Sequence, residues 1–153
     1  MTERSVTHAT FVIERNYAVS PAKVFAAWAD PAIKSRWFGS PDDWKAGRYS
    51  LDFRVGGNEH NAGGPPGGPV YSFDAVFQDI VPDQRIVSTY VMHMDDKRIS
   101  VSVATVELKP DGAGTRMVYT EYGAFLDGYD QPAQREEGTR ELLNALGRVL
   151  QSA

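Results

Sequence analysis

The chain has 153 residues, a formal net charge of −4 and no cysteine. The length fits one domain built on one core, so residues 1–153 are read as a single unit. The mild acidity, with no Lys/Arg cluster on any segment, argues against nucleic acid or an anionic membrane surface as partner, and the absence of thiols excludes disulfides, thiolate catalysis and Cys-ligated metal.

Along the chain, Thr10 to Val19 (TFVIERNYAV) is rich in β-branched and aromatic residues and predicts a strand. SPAKVFAAWADPAIKSRWF then holds two helix starts, Ser20-Pro21 and Asp30-Pro31, each an N-cap followed by proline at the first helical position. The first helix groups Val24, Phe25 and Trp28, the second Ile33, Trp37 and Phe38. GRYSLDFRVGG alternates, with Tyr49, Leu51, Phe53 and Val55 on one side and Ser50, Asp52 and Arg54 on the other, as a half-buried strand does.

Residues 56–69, GGNEHNAGGPPGGP, lie between that strand and VYSFDAVFQDIV, which alternates again at Tyr71, Phe73, Ala75 and Phe77. The position predicts a hairpin loop. A phosphate cradle would need a strand leading into a helix and a Lys-Ser/Thr pair, and this stretch contains neither Lys, Arg, Ser nor Thr; GxGxxG is absent as well. Glycine and proline favour an irregular excursion, either the rim of a cavity mouth or an idle loop.

VPDQR predicts a tight turn at Pro82-Asp83 before the strand RIVSTYVMHM. After a turn at Asp95 to Lys97, RISVSVATVELK reads as a strand whose apolar phase is odd at Ile99, Val101 and Val103 but even at Val106 and Leu108, which a bulge or two-sided burial near Ala104 would explain. The turn PDGAG leads to the strand TRMVYTEYG. The tail DQPAQREEGTRELLNALGRVLQS changes period, with Leu142, Leu146 and Val149 at i, i+4, i+7 and Leu143 and Leu150 widening the stripe of one long amphipathic helix. Gly138 inside it costs about 1 kcal/mol in propensity against Ala, so a close approach of backbone or ligand is expected there. Strand, two short helices, five strands in hairpin succession and a terminal helix predict an α+β fold in which an antiparallel sheet is covered by that helix.

Few residues carry readable chemistry. Ser40 in FGSPD is out of frame for a nucleophile elbow and reads as a turn residue. His8, His60 and His93 are far apart, and the neighbours Glu59 and His60 would point to opposite faces of an extended chain, so no metal site and no cofactor are expected and Glu59-His60 reads as solvated loop. Asp52 and Arg54 read as a surface ion pair. Glu121 is in phase with Met117 and Tyr119. It either faces the interior, where a carboxylate could act as acid or base, or leans into water or toward an Arg. No stretch approaches the roughly 18 apolar residues that span a bilayer, and the opening MTERSVTHATFVIERN has no long apolar run, so a cytoplasmic protein without membrane insertion is expected.

In this order, the strings SPAKVFAAWADPAIKSRWF, DFRVGG, FQDIVPDQRIV, GAGTRMVYTEYGAFLDG and REEGTRELLNALGRVL resemble the SRPBCC, or START-like, superfamily, the helix-grip fold of the birch-pollen-allergen type. Within it the chain is most similar to the group named after the C-terminal domain of the activator of the heat-shock protein 90 ATPase. The resemblance implies a six-stranded curved antiparallel sheet around a long C-terminal helix, with two short helices after the first strand. It also implies a space under that helix, surrounded by Phe53, Phe73, Phe77, Tyr90, Met92, Met117 and Tyr119, with Trp37 and Phe38 near the helix end and Glu121 beside them.

Three functions follow as expectations. The first is binding of an apolar small molecule (lipid, polyketide-like or aromatic) in that space. The second is an enzyme of the same fold, a cyclase, dehydratase or hydrolase, with Glu121 as acid or base and Tyr90 or Tyr119 as proton donors. The third is a protein-interaction module with a chaperone partner. Exposed alternating strands could also pair two copies into a homodimer.

Overall fold

A computed structural model describes residues 3–39 and 45–152, with only the backbone of residues 45–48; the predicted turn at Ser40 lies outside the described residues. The elements are β1 (Val6–Tyr17), α1 (Pro21–Ala29), α2 (Pro31–Lys34), β2 (Lys45–Leu51), β3 (Asn58–Gly64), β4 (Tyr71–Val81), β5 (Arg85–Met94), β6 (Lys97–Asp111), β7 (Gly114–Leu126) and α3 (Pro132–Gln151). Among the described residues the strands form one antiparallel sheet of seven, in the order β1-β7-β6-β5-β4-β3-β2.

The six strands expected from sequence are therefore seven, and the extra one is β3, inside the glycine-rich stretch read as a loop. The strand predicted over residues 47–57 ends at Leu51, and the turn comes early, at Gly56 (φ 83°) and Gly57. A Cβ on Gly57 would collide with the Asp52 carbonyl, so only glycine fits there. Asn58–Gly64 then runs as a strand because it is hydrogen-bonded on both edges, to β2 and to β4. Its residues have little β propensity of their own; pairing on both sides supplies what the side chains do not.

The helix starts behave as read. Ser20 Oγ accepts from the Lys23 amide at 3.3 Å and Asp30 Oδ1 from the Ala32 amide at 2.9 Å, and each cap is followed by proline. The phase conflict in β6 has a different origin from the one expected. The bulge is at Ile99, between the pairs Met92–Ser100 and His93–Arg98, not near Ala104. Beyond it the even positions Ser100, Ser102, Ala104, Val106 and Leu108 face inward, while Val101 is 42% exposed. The surface pair Asp52–Arg54 forms at 2.9 Å.

Helix α3 lies on the inner face of the sheet. Its buried seam is Leu143, Leu146 and Leu150, one position round from the Leu142–Leu146–Val149 stripe, and these leucines share the core with Phe11, Ile13 and Met117. The Tyr17 hydroxyl donates to the Leu143 carbonyl at 2.9 Å and pins the helix against β1. Since that carbonyl keeps its own helical bond, Tyr17→Phe should cost only about 0.5–1.5 kcal/mol of unfolding free energy in urea denaturation. This is the helix-grip arrangement: sheet on one side, terminal helix across it, and α1–α2 at one end. Among the described residues no helix is long and apolar enough to cross a membrane.

Candidate functional site

Between α3 and the sheet lies a cavity of about 450 Å³, within the size range of small-molecule sites. Its walls are largely apolar. Trp28, Trp37 and Phe38 close the end next to α1–α2, Phe73 and Phe77 come from β4, and Ile86 and Met92 from β5. The rings interlock edge to face, Trp28 on Trp37 with centroids 4.7 Å apart and Phe38 on Phe73 at 5.1 Å, which fixes the wall's shape. On the opposite side α3 contributes Leu142, Leu143, Thr139 and Gly138. A Cβ built on Gly138 meets nothing within 4 Å, so neither a neighbouring backbone nor a side chain requires glycine there; the residue lines the cavity while being itself exposed.

Two buried charged clusters interrupt this apolar surface. At the α2 end, Lys34 Nζ donates to Glu59 Oε1 at 2.8 Å, both side chains under 5% exposed, and Tyr49 donates to Glu59 Oε2 at 2.9 Å. The ammonium also lies 4.5 Å from the Phe38 ring centroid and 5.3 Å from that of Trp28. Burial pulls the Lys34 pKa below the ordinary lysine value, and the Glu59 carboxylate only partly offsets it. The expectation of a solvated Glu59-His60 loop is thus corrected. As neighbours on a strand they do point to opposite faces, but Glu59 is the one turned into the core, because Lys34 awaits it there. His60 faces out and meets Asp74 at 2.6 Å.

The second cluster is centred on Arg135, in the first turn of α3. Its guanidinium lies between the rings of Tyr90 and Phe125, with centroids 5.6 and 5.1 Å away. Nη1 donates to the Tyr90 hydroxyl at 3.0 Å and reaches Glu121 at 3.4 Å; Nη2 donates to Ser100 Oγ at 2.8 Å and to Asp130 at 2.6 Å. Burial alone would weaken the charge of Arg135, but Tyr90, Asp130 and Glu121 more than offset it, so its pKa lies above the ordinary arginine value. Glu121 accepts from Tyr90 at 2.6 Å and from Tyr119 at 2.8 Å. Burial first, then the Glu121 charge, push both phenols above their usual range, so both keep their protons and act as donors at neutral pH.

Of the residues singled out from sequence, Trp37, Phe38, Phe73, Phe77, Tyr90, Met92 and Tyr119 come together on the cavity wall. Phe53, Met117 and Glu121 pack behind it. Phe53 touches Phe77 and Phe25, Met117 is fully buried, and Glu121, 1% exposed, is held behind the hydroxyls of Tyr90 and Tyr119. What the arrangement presents to a bound molecule is therefore the Tyr90 hydroxyl and the Arg135–Asp130 pair rather than Glu121 itself. Among the described residues no group of three His, Cys, Asp or Glu is placed to hold a metal ion.

Sequence reading missed Lys34, Glu59, Asp130 and Arg135. Two carried a usable signal: Lys34 precedes Trp37 and Phe38 by three and four positions, and Arg135 lies seven before Leu142, so each shares a helix face with apolar residues. Glu59 and Asp130 carried none.

Solved structures share this architecture. The Mll3558 protein from Rhizobium loti is 52% identical with a TM-score of 0.88, over 95% of this chain and 99% of that one. An uncharacterised protein from Rhizobium leguminosarum is 42% identical with a TM-score of 0.94, over 99% and 100%. An AHSA1-like protein from Aeromonas hydrophila, at 23% identity and a TM-score of 0.70 over 94% and 93%, shares the fold. No curated protein matches the chain. Residues 18–151 match the family described as "Activator of Hsp90 ATPase homolog 1-like protein", and with the helix-grip architecture around them the chain belongs to that family, within the SRPBCC superfamily.

Proposed function

We propose that the protein binds an apolar small molecule, a lipid, polyketide-like or aromatic compound, in the space between α3 and the sheet. The observation that carries this reading is the cavity of about 450 Å³ itself, walled largely by aromatic and aliphatic side chains. Trp37, Phe38, Phe73, Phe77, Tyr90, Met92 and Tyr119 are the proposed contacts, with Phe53, Met117 and Glu121 holding them from behind. Burying about 300 Å² of apolar ligand surface at roughly 25 cal/mol per Å² gives about 7.5 kcal/mol before ordering costs, enough for binding without covalent chemistry.

Trp28 and Trp37 are built into the wall, so intrinsic fluorescence reports occupancy directly. Titration with medium-chain lipids and polycyclic aromatics is expected to shift the emission saturably and to raise the thermal unfolding midpoint in step. If neither changes with any apolar compound up to its solubility limit, the reading is wrong.

A further inference from the structure

Resting on the apolar-cavity reading, we infer that the ligand's polar group is a hydrogen-bond donor, a hydroxyl or an ammonium, and not a carboxylate or phosphate. The argument is a charge count. At the α2 end Lys34 is matched one to one by Glu59 at 2.8 Å. At the α3 end the single guanidinium of Arg135 is shared by two carboxylates, Glu121 at 3.4 Å and Asp130 at 2.6 Å, which leaves that end with an excess of one negative charge.

The N–H groups of both Arg135 terminal nitrogens are already directed at Tyr90, Ser100, Glu121 and Asp130. An anionic headgroup would thus meet no uncommitted cation among the cavity's described residues. It would also lie close to Asp130, whose pairing with Arg135 leaves the cluster with its surplus negative charge. A donor group meets the opposite situation. The Asp130 side chain is 19% exposed and lines the cavity, whereas that of Glu121 is 1% exposed, so Asp130 is the carboxylate a ligand can reach. Room for a headgroup lies alongside, where Gly138, one turn on from Arg135, presents no side chain.

Three decyl compounds differing only in headgroup test this at pH 7: 1-decanol, decylamine and sodium decanoate, titrated into the full chain and followed by tryptophan fluorescence and calorimetry. The alcohol or the amine is expected to bind at least about tenfold more tightly than decanoate, since a like charge about 4 Å away near a protein surface costs more than 1.4 kcal/mol. Asp130→Asn, which keeps an acceptor but removes the surplus charge, is expected to narrow that ratio by about tenfold. Decanoate binding as tightly as the other two in the parent protein overturns the headgroup assignment while leaving the cavity reading intact. A preference that Asp130→Asn leaves unchanged overturns it as well. Failure of all three compounds to bind overturns the headgroup assignment, and failure of the polycyclic aromatics as well overturns the cavity reading.

Discussion

Replacing Glu59 with Gln is expected to lower the unfolding free energy by about 3–5 kcal/mol, the usual cost of removing one partner of a buried ion pair. The Lys34 side chain is 4% exposed and that of Glu59 2% exposed, so the ammonium left behind cannot turn to water. Its remaining neighbours are the rings of Trp28, Trp37 and Phe38, and cation–π attraction of about 2 kcal/mol falls short of the lost carboxylate. Replacing both partners with apolar residues, Lys34→Met with Glu59→Leu, should recover most of the loss, because no charge is then buried. The pH dependence separates this explanation from a packing defect. Burial already holds the folded-state pKa of Lys34 below its ordinary value of about 10.5, and Glu59 is what keeps it from falling further. Between the lowered and the ordinary value the unfolded chain binds more protons than the folded one, so stability rises with pH in that window. Without Glu59 the window extends to lower pH. The deficit of the Gln variant should therefore shrink as pH rises, and the double variant should lack that slope. Urea unfolding at a series of pH values decides it: a loss under 1 kcal/mol, or one that is flat with pH, would show that Lys34 is not carrying a buried charge.

That pair also marks the limit of what the sequence discloses. Alternation of apolar residues located β4 because it has one buried face, turn signals bounded β5 and β7, and the Ser20-Pro21 and Asp30-Pro31 signals located the helices because capping is a local event. β3 has no such local cause. NEHNAGG becomes a strand by lying between two others, and its buried charged side chain, Glu59, is defined by Lys34, 25 residues earlier. The inward phase of Glu121 was readable from Met117 and Tyr119, but the arginine that meets it comes from another element, 14 residues on. The bulge at Ile99 was misplaced for the same reason, since only the register against β5 shows which residue is extra.

Gly138 gives the strongest handle on function. Gly138→Leu should abolish binding of an apolar ligand, weakening it by about fiftyfold or more, while leaving the fold at least as stable as before. Gly138 lines the cavity and is exposed, so leucine is expected to reach over the cavity opening and displace roughly 100 Å² of ligand contact; at about 25 cal/mol per Å² that is about 2.5 kcal/mol. Stability moves the other way. A mid-helix glycine costs about 1 kcal/mol against a good helix former, and nothing within 4 Å opposes a Cβ at this position. Gly138→Ala separates the two effects. Its single methyl should raise stability by about 1 kcal/mol yet leave most of the cavity free, so binding should fall only severalfold. The opposite pattern, with Leu destabilising the protein or binding unaltered by it, would mean that the helix has another reason for glycine and that ligands, if bound, lie elsewhere. Thermal unfolding and a fluorescence titration on the same three proteins distinguish these outcomes, because the reading requires affinity and stability to change in opposite directions from a single substitution.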